Sequence, residues 1–368
     1  MFDDPRKTAE WFKLIFEIGI LVLPQAKTLL DFNKNPKLQK DPFLIYDADF
    51  LIGCHKSERP IASGIPYSEM ANLLGKSPGS IQIHVMRGDF KLQSGDKAWS
   101  SISKAGFQAL RDSKRIGASE PMIHLRSARR EGNKLILKVQ KARYHDQAQS
   151  NLILDWPTQV EPRPLTLRDL LAAKYERNLP DLADRRLANT VGVACLLFYK
   201  EGNRLVPYLV RRVEQVGVYP GGIQCTASGA ANWPNTSEKS FGHFFFQAMY
   251  RELEEEVGLK AEDIADLKAV SLCREFLRGG KPQLFFAGFT RLSRNQLRER
   301  RIQAADTVKK ISGWTEVERD TWFRSSGVVI PPQELDQGIK EQGISLEGLG
   351  SYFHGKKYIE KYGHQFAK

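Results

Sequence analysis

The chain has 368 residues, 41% of them hydrophobic and 27% charged, so more than one typical domain is expected, with enough apolar material for real cores. A formal net charge of +12 favours polyanionic partners or anionic substrates. The scattered cysteines, Cys54, Cys195, Cys225 and Cys273, form no C-x-x-C pair, which argues against a disulfide framework or zinc site and for reduced thiols in a cytoplasmic protein.

Residues 1–60 read as an N-terminal helical segment. The apolar run Trp11 to Leu23 is broken by Lys13 and Glu17 and is too short for a bilayer, so it predicts an amphipathic helix for docking or homodimer formation and no membrane partner. The run from Phe43 ends in Asp47-Ala48-Asp49, superficially similar to the first motif of haloacid-dehalogenase-type phosphatases. Phe50 stands where that family has Thr or Val and no later motif follows, so a helix or strand with a polar end is the reading.

In residues 61–120, Tyr67 to Gly75 reads as a short helix, Lys76-Ser77 as a turn, and Pro78 as the opening of a second helix. Small Ala71, turn Gly75 and apolar Ile81 fall where two crossing helices need them, and the arrangement resembles a winged helix-turn-helix, with Phe90-Lys91-Leu92 and Trp99 before a helix from Ser103 to Asp112. Lys76 to Arg130 carries eleven Lys and Arg against four Asp and Glu, the bias that phosphate contacts need. This resemblance implies DNA as a partner, with Ser77, Ser80, Gln82, His84 and Arg87 on or near the recognition helix.

Residues 121–188 read as a hairpin and linker. Met122 to Tyr144 alternates about a turn at Glu131-Gly132-Asn133, with Leu135, Leu137 and Val139 facing one way. Trp156 to Pro164 carries three prolines, and a helix from Leu165 to about Arg177 follows.

Residues 189–368 begin with strands over Val191 to Tyr199 and Val206 to Val213, the second closed by Arg211 and Arg212, either of which suits a phosphate. A glycine-rich stretch, Gly221, Gly222 and Gly229, permits close backbone approach to a ligand. Phe241 to Leu259 then predicts one amphipathic helix: Phe246, Met249, Leu253 and Val257 form a stripe, and Gly258 stands at a left-handed cap. Glu252 relates to Glu255 and Glu256 as i to i+3 and i+4, a repulsive set that a hard divalent cation would turn attractive. Strands over Ala269 to Phe276 and Leu284 to Phe289, a basic stretch Arg291 to Arg301, and a helix from Gly348 to Tyr362 complete the chain.

The order Arg251-Glu252-Leu253-x-Glu255-Glu256-x-Gly258-Leu259 resembles the C-terminal half of the Nudix box, the signature of the Nudix hydrolases. Upstream, His243 takes the place of the family's Glu and Ser237 that of its opening Gly, so either the box is degenerate or an insertion around Asn232 to Asn235 displaces its glycines. The resemblance implies an α/β fold, a Nudix-type α/β/α sandwich with a mixed sheet, and Mg²⁺- or Mn²⁺-dependent cleavage of the diphosphate bond in a nucleotide-type substrate. It also implies that Glu252, Glu255 and Glu256 hold the metal, that Arg251 fixes these carboxylates by a salt bridge, and that Glu275 offers a further ligand. The competing reading is a DNA-binding regulator that uses a Nudix domain to sense a nucleotide metabolite.

Overall fold

The computed structural model describes residues 48–112, 116, 119–156, 165–211, 223–312 and 344–366. The expected N-terminal helix over Trp11 to Leu23 lies outside them, as do Asp47, Arg212, Gly221 and Gly222.

The fold mixes α and β structure around a six-stranded sheet. In chain order, α1 is Ala48–Cys54, β1 Tyr67–Asn72, β2 Ile81–Asp89, α2 Lys97–Asp112, β3 Pro121–Glu131, β4 Lys134–Arg143, α3 Tyr144–Ala148 and α4 Leu167–Lys174. Then come β5 Gly192–Glu201, β6 Arg204–Pro207, β7 Val210–Arg211, β8 Ile223–Gln224, β9 Ala227–Ala230 and a π-helical turn Gly242–Phe246 that runs into α5 Gln247–Val257. The last elements are β10 Ile264–Glu275, β11 Lys281–Thr290, α6 Arg294–Ser312 and α7 Leu346–Tyr362. Among the described residues no helix is long and apolar enough to cross a membrane.

The main sheet runs β1-β10-β11-β5-β6, with β9 also paired to β5. Only β11 and β5 are parallel within it; the other pairs are antiparallel. Eight consecutive residues of β5 are buried, the mark of a strand covered on both faces. Val193, Cys195 and Leu197 meet Met249, Leu253 and Val257 of α5 on one side. Leu196 and Phe198 meet Tyr358 of α7 on the other. Each large apolar side chain so buried stabilises the fold by about 1.5–3 kcal/mol. The α5 stripe matches its sequence, and Gly258, at φ 71°, stops the helix with its N–H on the Glu254 carbonyl. No other residue fits there, because a Cβ would come within 2.2 Å of the Arg300 carbonyl oxygen.

The expected hairpin is β3–β4, turning at Gly132, with Leu135, Leu137 and Val139 in the core. The expected helix pair over Tyr67 to Arg87 is corrected by the structure to two strands. Tyr67–Asn72 is β1, hydrogen-bonded along β10 from Tyr67↔Glu275 to Asn72↔Ser271. A bulge between Glu69 and Ala71 leaves Tyr67 and Ala71 as the buried pair, a spacing of four that a helix shares. Gly75 does take a left-handed turn conformation, at φ 85°, but Pro78 opens only the 3₁₀ turn Pro78–Ser80. Ile81 and Ile83 then alternate inward in β2, which pairs in parallel with β4 to give a second sheet, β2-β4-β3. Trp99, expected before the helix, lies inside α2, whose first turn is capped by Asp96 accepting from the Trp99 N–H at 2.8 Å.

Candidate functional site

The site lies where α5 crosses β9. The helix turns Glu252 and Glu256, one turn apart, toward that short strand. Glu256 accepts from the Ser228 N–H at 2.8 Å. Glu252 lies flat over Gly229, where a Cβ would stand 2.2 Å from its carboxyl carbon. Glycine is needed at residue 229 for that reason, a close approach and not a turn.

Glu255 does not join them. Its side chain is 59% exposed and leans on Arg251 at 3.6 Å, while Arg251 also reaches Glu252 at 3.3 Å. Arg251 thus ties two of the carboxylates together from outside, and the expected three-carboxylate face resolves into two inward groups and one outward.

A third inward carboxylate comes from a residue the motif did not indicate. Glu347, in the first turn of α7, accepts from Gln283 Nε2 at 3.0 Å, and the Ser228 hydroxyl lies against it and favours its ionised form. Ser228 therefore stands between Glu256, held by its N–H, and Glu347. Burial pushes Glu347 up, and the Arg278 guanidinium opposes that rise. Nothing in the local sequence Ser345-Leu346-Glu347-Gly348 beyond a capped helix start points to this role.

Glu275, expected as a further ligand, lies near enough to Glu347 to push its pKa up. It is buried at the end of β10, and both of its carboxylate oxygens accept from Arg278 Nη1 at 3.1 Å, so a guanidinium already holds it. Lys281 lies beside this pair, its ammonium lowered to about 8 by burial.

His243 falls in the π-helical turn and faces upstream, with Nδ1 2.7 Å from Glu238 Oε1 and 2.8 Å from Ser240 Oγ. A π turn inserts an extra residue into the helical register, a feature common near functional sites. Glu238 thus lies against His243, and His243→Glu would set two carboxylates against each other. That variant is expected to lower the Tm in a thermal melt, with Glu238→Gln restoring it.

The residues expected on a recognition helix are spread over a turn and a strand. Ser80 Oγ donates to the Ser77 carbonyl at 2.7 Å, Gln82 and His84 lie on β2, and Arg87 is exposed near its end. Gln82 and His84, with Pro78 and Lys239 to Gly242, line an open groove of about 510 Å³ between β2 and the start of the π turn.

Among the described residues no group of three or more His, Cys, Asp or Glu side chains is arranged to hold a metal ion. Glu252, Glu256 and Glu347 nonetheless fit a hard divalent cation by donor chemistry, since all offer carboxylate oxygens. Of the three, Glu252 has a side chain only 13% exposed. Burial pushes its carboxyl from 4.5 up to about 7, against the opposing pull of Arg251. The folded protein therefore binds the extra proton between those values, so this group's stabilisation is present below about pH 4.5 and lost as pH rises through about 7. In EDTA at about pH 8, Glu252→Gln is expected to raise stability by about 1–3 kcal/mol, seen calorimetrically as a higher Tm, and to change little at about pH 4.

Compared with known proteins, the chain matches no family model and no curated protein.

Proposed function

We propose that residues 189–368 form a Nudix-type α/β/α sandwich and that the protein hydrolyses the diphosphate bond of a nucleotide-type substrate with Mg²⁺ or Mn²⁺. The observation that carries this reading is the meeting of Glu252 and Glu256 over Ser228 and Gly229, with Glu347 across the same strand. A divalent ion bound there would neutralise the diphosphate and lower the pKa of an attacking water. Glu252 and Glu256 would hold that ion, and the Ser228 N–H helps fix the Glu256 carboxylate beside β9. Glu347, outside the helix, is the candidate to take the water's proton, with Gln283 orienting its carboxylate. Arg251 keeps Glu255 off the site and screens Glu252.

The regulator reading keeps only the charge bias of the N-terminal half, since the residues meant to enter a groove of DNA lie on β2 and its preceding turn. Incubation of the full chain with a panel of nucleoside diphosphate compounds and Mg²⁺ or Mn²⁺ tests the proposal. Metal-dependent release of a phosphorylated product is expected. Tight binding of a panel member without release by the folded protein would leave the sensor reading in its place.

A further inference from the structure

The strands of the smaller sheet, β2, β3 and β4, carry eight Lys and Arg against two Asp and Glu, and contain no Phe, Tyr or Trp. One of the two carboxylates, Glu131, is already taken by Arg129 at 2.6 Å. Arg87 and Lys138 form no ion pair among the described residues. The sheet is therefore strongly cationic, and its charge is not spent within the fold.

This charge surrounds an open edge. β2 pairs with β4 on one side, and on its other side the described residues give it a single antiparallel bridge, Gln82 opposite Ser240. The pairing stops there because the chain leaves on both sides of Ser240. Downstream the helix begins, and the Ser240 carbonyl accepts from the Phe244 N–H at 3.1 Å. Upstream, Glu238 turns to His243 at 2.7 Å and its N–H donates to the Thr236 hydroxyl at 3.1 Å. From His84 onward the edge has no strand beside it among the described residues. Such an edge presents backbone N–H and C=O groups to which an extended chain can add.

The open groove of about 510 Å³ lies along this edge, with Gln82 and His84 on one side and Lys239 and Ser240 on the other. No carboxylate lines it, and Lys239 is exposed. The alternation of β2 sets what fits. Ile81 and Ile83 are buried, whereas His84 is exposed, with Lys138 beside it in register on β4. A strand added at the edge alternates in the same way. Its residues level with His84 and Lys138 meet cations, and those level with Ile83 and the half-buried Val85 meet apolar surface. The partner these contacts define is an extended peptide in which acidic and β-branched residues alternate. A single-stranded nucleic acid shares the charge, but these strands offer it no aromatic ring to stack on, and it brings no amides to the edge.

We propose that the free edge of β2, with the groove beside it, docks an acidic extended segment of a partner protein, added as a further strand from His84 onward. The inference is independent of the diphosphate reading. Fluorescence anisotropy of the full chain with a short fluorescein-labelled peptide of alternating Glu and Val tests it. Wild type is expected to bind this peptide and not its counterpart with Lys in place of Glu. Lys138→Glu and Lys239→Glu should each weaken binding severalfold, and the double variant at least about tenfold, with the Tm of each variant held as the check on folding.

A second arm leaves the protein untouched. In an added strand alternate N–H groups face β2 and the others face away. N-methylation of the peptide at the alternate residues that face β2 should weaken binding at least about tenfold, while methylation of the other set should cost little. Equal losses from the two sets would show that charge alone holds the peptide and would overturn the proposal. Binding of a scrambled peptide of the same composition with equal affinity would do the same, as would displacement by oligothymidylate as effective as by unlabelled peptide. Absence of binding by wild type also overturns it.

Discussion

Glu256→Gln is expected to lower Mg²⁺-dependent turnover at least about 1000-fold, which corresponds to about 4 kcal/mol of transition-state stabilisation. The change removes a charge at nearly constant volume. An amide oxygen can still accept from the Ser228 N–H, the contact now made at 2.8 Å, so the Tm should hold within a degree or two. Glu255→Gln is the internal control. That side chain is 59% exposed and touches Arg251 only at 3.6 Å, so its removal should cost no more than a severalfold loss. Steady-state kinetics on the pair, with metal titrations, check the assignment. Equal losses in the two variants would mean that the inward and outward carboxylates do not differ in role, and full activity in both would remove α5 from the mechanism.

The contrast between Glu255 and Glu256 also shows what the sequence could and could not disclose. The spacing of Met249, Leu253 and Val257 dictates which face of α5 is buried, and Gly258 dictates its end, because both depend on the helix alone. The spacing of the carboxylates places three of them on one flank, but which of them turn inward depends on β9, a four-residue strand that brings Gly229 under Glu252. Glu347 was not legible, since its link to Ser228 and Gln283 is made only when the first turn of α7 reaches the sheet. The stretch from Tyr67 to Val85 misled for a different reason. Its bulge between Glu69 and Ala71 gives a strand the buried spacing of a helix, and Pro78 suits a 3₁₀ turn as well as a first helical turn. The alternation Ile81-Gln82-Ile83 was the signal for β2, and β-branched residues at every second position favour a strand over a helix.

The largest effect on stability is expected from a residue that is not one of these carboxylates or their direct partners. Arg168→Ala should cost about 3–5 kcal/mol, because it leaves Asp155 buried without its partner. Arg168 and Asp155 are both nearly inaccessible and form a bidentate pair, Nε to Oδ1 at 2.6 Å and Nη2 to Oδ2 at 2.8 Å. The remaining donors reach the Phe276 carbonyl at 2.9 Å and the Leu277 carbonyl, at the turn between β10 and β11. One guanidinium therefore joins α4, the segment before it and the main sheet, which makes residues 121–188 more than a tether. His55 lies against the same group, lowered to about 3 first by burial and then by the Arg168 charge. Stability from a neutral His55 is present above about pH 6.5 and lost as pH falls toward about 3, and removal of Arg168 should soften that acid loss. Denaturant unfolding of Arg168→Ala, Asp155→Leu and the double replacement Arg168→Met with Asp155→Leu measures the coupling. Each single variant should fall well below wild type and the double variant should recover most of the loss, since no charge is then left buried alone. A cost below about 1 kcal/mol for Arg168→Ala would instead mean that the pair behaves like a solvent-screened surface bridge and that α4 is not anchored through it to the sheet.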